Sequence, residues 1–161
     1  MEALLLNLNN LGDKTMRVMV IIKADKNSEA GIQATEQTKE MFAAMGRFNE
    51  ELIKAGLVVA MDGLQPSSKG KRVKFSGRER TVTDGPFTET KELVAGFWIW
   101  QVKSMEEALE WLKRAPFDGG TEVELRPVYE VADIPADVIT PEHAGRMREV
   151  REELQKKAAK P

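Results

Sequence analysis

The chain of 161 residues is 42% hydrophobic and 31% charged, the composition of an ordinary globular domain with enough length for one core. A formal charge of −2 at pH 7 supplies no global attraction to nucleic acid or to an anionic membrane. The absence of cysteine removes disulfides, thiolate catalysis and Cys-based zinc sites together and fits a reducing, cytoplasmic setting, and no apolar run approaches the ~18–20 residues that span a bilayer.

Residues 1–15 scatter Asn7, Asn9, Asn10, Gly12 and Asp13 among a few leucines, poor material for a helix or a strand. They read either as a flexible N-terminal extension or as a start placed too early, with Met16 as the true initiator. From Arg17 to Ala24 a nearly continuous β-branched and apolar run predicts a central strand covered on both faces. Asp25 to Ala34 reads as a loop. Thr35 then caps a helix in which Met41, Met45, Phe48, Leu52 and Ala55 fall on one stripe, and Gly56 ends it.

Leu57 to Met61 predicts a second strand, followed by a loop through Asp62, Gly63, Pro66, Ser67 and Gly70. Arg72 to Phe75 and Arg80 to Thr83 form a hairpin around Ser76, Gly77 and Arg78, where glycine supplies the positive φ that tight turns require. Lys69, Lys71, Arg72, Lys74, Arg78 and Arg80 make this segment basic, which suits a solvated strand edge better than a nucleic-acid surface.

Thr83 to Trp100 is the most distinctive stretch. Asp84, Gly85 and Pro86 have the chemistry of a turn, since Asp bonds the backbone just ahead and glycine tolerates close approach. Beyond it, Phe97, Ile99 and Gln101 alternate with Trp98, Trp100 and Val102 along a strand. Ser104 to Glu107 has the spacing of a capping box and opens a helix with Met105, Ala108, Leu109 and Leu112 on one face; Pro116 stops it. Thr121 to Tyr129 alternates again, with Val123, Leu125 and Tyr129 on one face and Glu122, Glu124, Arg126 and Val128 on the other. The resulting order, β-α-β-β-α-β with an extra hairpin, is that of a ferredoxin-like α+β domain with both helices on one side of the sheet. In the tail after residue 132, Thr140 and Pro141 start a surface helix with Ala144, Met147, Val150 and Leu154 as a modest stripe, expected to dock on its own domain or on a second copy.

The pattern T-D-G-P-F-x-E-x-K-E from Thr83 to Glu92 continues as G-F at Gly96 and Phe97, E-E-A-L-E-W at Glu106 to Trp111 and E-L-R-P at Glu124 to Pro127. It resembles the DGPF branch of the YCII-related proteins, over roughly Met16 to Glu130. The resemblance implies a domain over about 16–132 that pairs as a homodimer in an α+β barrel-type assembly, and products encoded beside extracytoplasmic-function sigma factors, hence a regulatory or interaction role as the alternative to a ligand-binding one. Related enzymes use a His and Asp pair with the His on the first helix. This chain has Met45, Gly46, Arg47 and Phe48 there, and Ala115 before Pro116 and Phe117 where many relatives carry Asp.

On the sheet face without helices, either Trp98 with Trp100 or Phe97 with Ile99 is expected; alternation does not choose between the sets. If Glu124 and Arg126 join them, a polar cleft arises with Asp84, Glu89 and Lys91. The candidate catalytic groups are then Asp84 or Glu124 for proton transfer and Arg126 or Lys91 for charge stabilisation, with Glu89, Lys91, Trp98 and Trp100 lining a site for a small anionic or polar molecule. Simple salt bridges and a turn cap explain the same charged residues without a ligand. His143 has no second His or Cys beside it to build a zinc site, and no phosphate-binding loop of the GxxxxGK[ST] type occurs, so neither metal nor cofactor is expected.

Overall fold

The computed structural model describes residues 15–89 and 92–158. Its strands are β1 (Met16–Lys23), β2 (Val58–Gly63), β3 (Lys71–Ser76), β4 (Glu79–Asp84), β5 (Val94–Val102) and β6 (Val123–Pro127). Its helices are α1 (Lys26–Glu29), α2 (Glu36–Lys54), α3 (Met105–Leu112) and α4 (Pro141–Ala158). The principal sheet has the order β2-β5-β1-β6 with antiparallel neighbours throughout, and β3 with β4 forms a separate two-stranded sheet. The fold is therefore mixed α+β, with each of the two sheet-crossing connections carried by a helix. No helix among the described residues is long and apolar enough to cross a membrane.

Pairing decides which side chains share a face. Val18 lies opposite Trp100 and Val20 opposite Trp98, and these four pack with Phe48 and Leu52 of α2 and Ala108 of α3. They are the core: Val18, Val20, Leu52, Trp100 and Ala108 are all fully buried. Arg17, Met19, Ile21 and Lys23 consequently point to the second face, together with Phe97, Ile99 and Gln101. Helices α2 and α3 lie on the first face alone; β1 nevertheless has no exposed residue, and Ile21 on the second face is 9% exposed.

Four local expectations are corrected. The stretch 25–34 contains α1, because Asp25 accepts the Ser28 N–H at 2.8 Å while the Ser28 hydroxyl accepts from the Asp25 N–H, a reciprocal cap that nucleates one turn. The buried stripe of α2 narrows to Phe48 and Leu52 with Met45 beside them; Met41 is exposed, one turn before the first α2 residue packed against the core. Leu109 is likewise exposed, and Trp111 takes its place against the core. Tyr129 lies outside β6 and is 78% exposed, since pairing with β1 ends where Val128 donates to the Arg17 carbonyl.

The tail returns to its own domain. Thr140 caps α4 by accepting the His143 N–H at 3.1 Å. Arg151 then reaches back to the Glu130 carboxylate, which also accepts from Arg17 Nε at 2.8 Å. The helix meets its own domain through this ionic contact and through the half-buried Ala144 and Met147, while Val150 and Leu154 are exposed. Residues 1–14, which bear on the position of the start, lie outside the described residues.

Candidate functional site

The Asp84–Phe87 turn is built onto the loop that follows β2. Gly85 donates to the Gly70 carbonyl at 3.0 Å, and Gly70 donates to the Ser67 carbonyl at 2.9 Å, so the two loops run edge to edge. A Cβ at Gly85 would lie 1.8 Å from the Ser67 carbonyl oxygen, which is why this position takes glycine. Ser67 Oγ accepts the Phe87 N–H at 3.1 Å and donates to the carboxylate of Glu29, which also accepts the Ser67 N–H at 3.0 Å. The Arg72 guanidinium stacks 3.9 Å from the centre of the Phe87 ring. The turn thus fastens α1, the β2–β3 loop and the hairpin together. Glu29 and Ser67 are absent from the sequence-derived candidates, because they are 38 residues apart and no spacing rule joins them.

Asp84 pairs across the hairpin with Lys71. Both side chains are about two-thirds exposed or more, at 72% and 67%, where an ion pair contributes little to stability. Glu89 is exposed and its carbonyl accepts the Glu92 N–H at 3.0 Å; Lys91 lies outside the described residues.

Glu124 and Arg126 occupy β6 at the edge of the principal sheet, opposite Ile21 and Met19, with both side chains on the second face. Glu124 accepts from Arg126 Nε at 2.7 Å and lies 3.2 Å from Lys23 Nζ. The Lys23 ammonium first, and the Arg126 guanidinium second, hold its carboxyl below the ordinary value of 4.5. Glu124 is therefore a firmly ionised acceptor and a weak base, while Arg126 remains mostly exposed with donors to spare. The described contacts put Asp84 and the Glu124–Arg126 pair into separate clusters, one on the hairpin and one on the sheet edge.

Trp98 and Trp100 face the helices, 3% and 0% exposed, so the aromatic set on the second face is Phe97 with Ile99. Trp98 spends its indole N–H on Asn49 Oδ1 at 2.9 Å and meets Phe48 and Phe117 edge-on. The tryptophans are core residues here, and the candidate binding surface passes to their strand neighbours. Across the second face one row runs Asp62, Phe97, Ile21, Glu124 and the next Ala60, Ile99, Met19, Arg126. Asp62 is absent from the sequence-derived candidates, because the apolar run of its strand ends at Met61. No group of three or more His, Asp or Glu among the described residues is arranged to hold a metal ion.

A model of the YCII-related domain matches residues 16–132. The chain is also similar to an uncharacterised protein of Rhizobium meliloti (strain 1021), 27% identical over 105 residues that make up 63% of this chain and 85% of that protein. The matched segment contains the principal sheet, the hairpin and α1 to α3, and stops before α4. The chain belongs to the YCII-related domain family.

Proposed function

We propose that this chain is a DGPF-branch protein with a ferredoxin-like fold, that it pairs as a homodimer across the second face of its principal sheet, and that it binds a small anionic or polar molecule at the polar margin of that face. The observation that carries the reading is the adjacency of an apolar row, Met19, Ile21, Phe97 and Ile99, to the Lys23–Glu124–Arg126 cluster, on the face that carries neither α2 nor α3. Met19, Phe97 and Ile99 are half-buried and Ile21 is 9% exposed in the single chain, and a second copy presenting the same row would complete their cover. Arg126 supplies the fork-shaped donor that anionic groups favour.

The geometry supports binding over proton transfer. Glu124 is held ionised by two cations, whereas a general base working near neutrality requires a carboxyl raised toward the working pH. Asp84 keeps its place as a candidate acid or base only if a second copy brings the hairpin to this margin.

Sedimentation of the wild type and of Ile99→Glu tests the pairing, with a dimer expected for the first and a monomer for the second. A thermal-shift screen with small carboxylates, lactones and phosphates, repeated on Arg126→Ala, tests the site. Hits that survive Arg126→Ala unchanged would remove the ligand reading at this margin.

A second reading, a regulatory protein that contacts a partner such as an extracytoplasmic-function sigma factor, is favoured by one observation. The hairpin exposes Val73, Phe75 and Val82 among its cations, with Phe75 70% exposed. Co-purification with a sigma factor encoded nearby, abolished by Phe75→Asp, is the expected result.

A further inference from the structure

We propose that the cavity between β1 and α4 is a binding site for a small monocarboxylate, held by Arg17 and Arg151. The cavity, about 130 Å³, is lined by Thr15, Arg17, Gln101, Glu130, Arg151 and Gln155. Two guanidiniums converge there on the single carboxylate of Glu130, Arg17 through Nε at 2.8 Å and Arg151 through Nη1. The lining therefore carries one net positive charge, enough to neutralise a monoanion and too little for a dianion. The Asp133 carboxylate is turned to the Glu130 backbone N–H at 2.7 Å.

The two guanidinium side chains are largely shielded, with 16% exposure for Arg17 and 28% for Arg151. Partial burial lowers the local dielectric, so an anion entering the cavity is attracted more strongly than at an open surface arginine. Among the described residues Arg17 engages Glu130 through Nε alone, which leaves its Nη edge for the paired oxygens of a carboxylate. Gln101 donates to Thr15 Oγ1 at 2.9 Å through its amide nitrogen, and its carbonyl oxygen is by chemistry an acceptor.

Arg151 and Gln155 lie on α4, beyond residues 16–132 that match the family. The site is therefore a property of this chain's tail rather than of the domain alone. Every lining group comes from one chain, so the site needs no residue of a second copy.

NMR titration of the full chain with sodium propionate, propionamide and sodium sulfate tests it. Propionate is expected to shift the Arg17 Nε–H signal and the Gln101 and Gln155 side-chain amide signals saturably, with propionamide inert and sulfate weaker. Arg151→Gln is expected to weaken propionate about tenfold or more, the loss of a charge-assisted pair. Gln155→Leu leaves the Arg17–Glu130–Arg151 contacts in place and decides the matter if Arg151→Gln releases the helix: weaker propionate binding supports the site. Absence of saturable shifts at these groups overturns it, as does propionamide binding equal to propionate, or propionate binding unchanged in both variants.

Discussion

Gly85 packs against Ser67 with no room for a side chain: a Cβ on its backbone would sit 1.8 Å from the Ser67 carbonyl oxygen, 2.7 Å from the carbonyl carbon and 3.3 Å from Ser68 Cα. The obstacles are backbone atoms held by their own hydrogen bonds, so neither side can yield cheaply. Gly85→Ala is expected to destabilise the protein by about 1–3 kcal/mol or more through overpacking, read by urea denaturation. Gly46 gives the opposite sign. It lies within α2 with open space around it, and Gly46→Ala is expected to stabilise by about 0.5–1 kcal/mol.

Ser67 holds the turn from the other side. Its hydroxyl accepts from Phe87 N–H and donates to Glu29, so Ser67→Ala removes two contacts and leaves a half-buried carboxylate with, among the described residues, the Ser67 N–H as its remaining donor. A loss of about 1–2 kcal/mol is expected. The more telling readout is local: amide exchange at Phe87 should quicken in Ser67→Ala while exchange in β1 follows only the global change. Equal protection of Phe87 in both proteins would show that the hydroxyl does not fasten the turn.

The turn and the strand periods were legible because they are local. Asp, Gly and Pro in succession impose a turn whatever lies around them, and the alternation of β5 states that Phe97 and Trp98 face opposite ways. Which of them meets the helices is a tertiary matter, decided by Phe48, Leu52 and Ala108 on the first face. The same limit applies to Met41 and Leu109: their spacing fits an apolar stripe, but the core is met by Met45, Phe48 and Leu52 in α2 and by Met105, Ala108 and Leu112 in α3. Glu29 with Ser67 and Arg17 with Arg151 escape any reading by spacing, since folding alone brings such distant residues together.

Trp98 and Trp100 differ in their polar atoms, which yields an ordering. Trp98 gives its N–H to Asn49, whereas the Trp100 N–H is buried and finds no acceptor among the described residues. Phenylalanine at either position loses similar volume from the core. Trp98→Phe also strands Asn49 Oδ1, while Trp100→Phe removes an unsatisfied donor. Trp98→Phe is therefore expected to be the more destabilising, by about 1–2 kcal/mol, in parallel denaturation experiments. The reverse ordering would mean that Trp100 has found a partner for its N–H.

Glu124 makes the stability of the sheet edge sensitive to acid. Lys23 and then Arg126 hold its folded-state carboxyl below the ordinary value of 4.5, while in the unfolded chain the group returns toward that value. The unfolded state therefore binds the proton more readily, and stability from this group is fully present above pH 4.5 and is lost as pH falls through the lower, folded value. Glu124→Gln deletes the ionised acceptor and with it this share of the acid dependence. Melting temperatures of the two proteins, followed from about pH 7 to about pH 3, are expected to differ near neutrality and to converge in acid. Because the cluster is partly open to solvent, most of all at Arg126, added salt should shrink the difference at neutral pH. Parallel curves at all pH values would show that Lys23 and Arg126 do not hold Glu124 in its charged form.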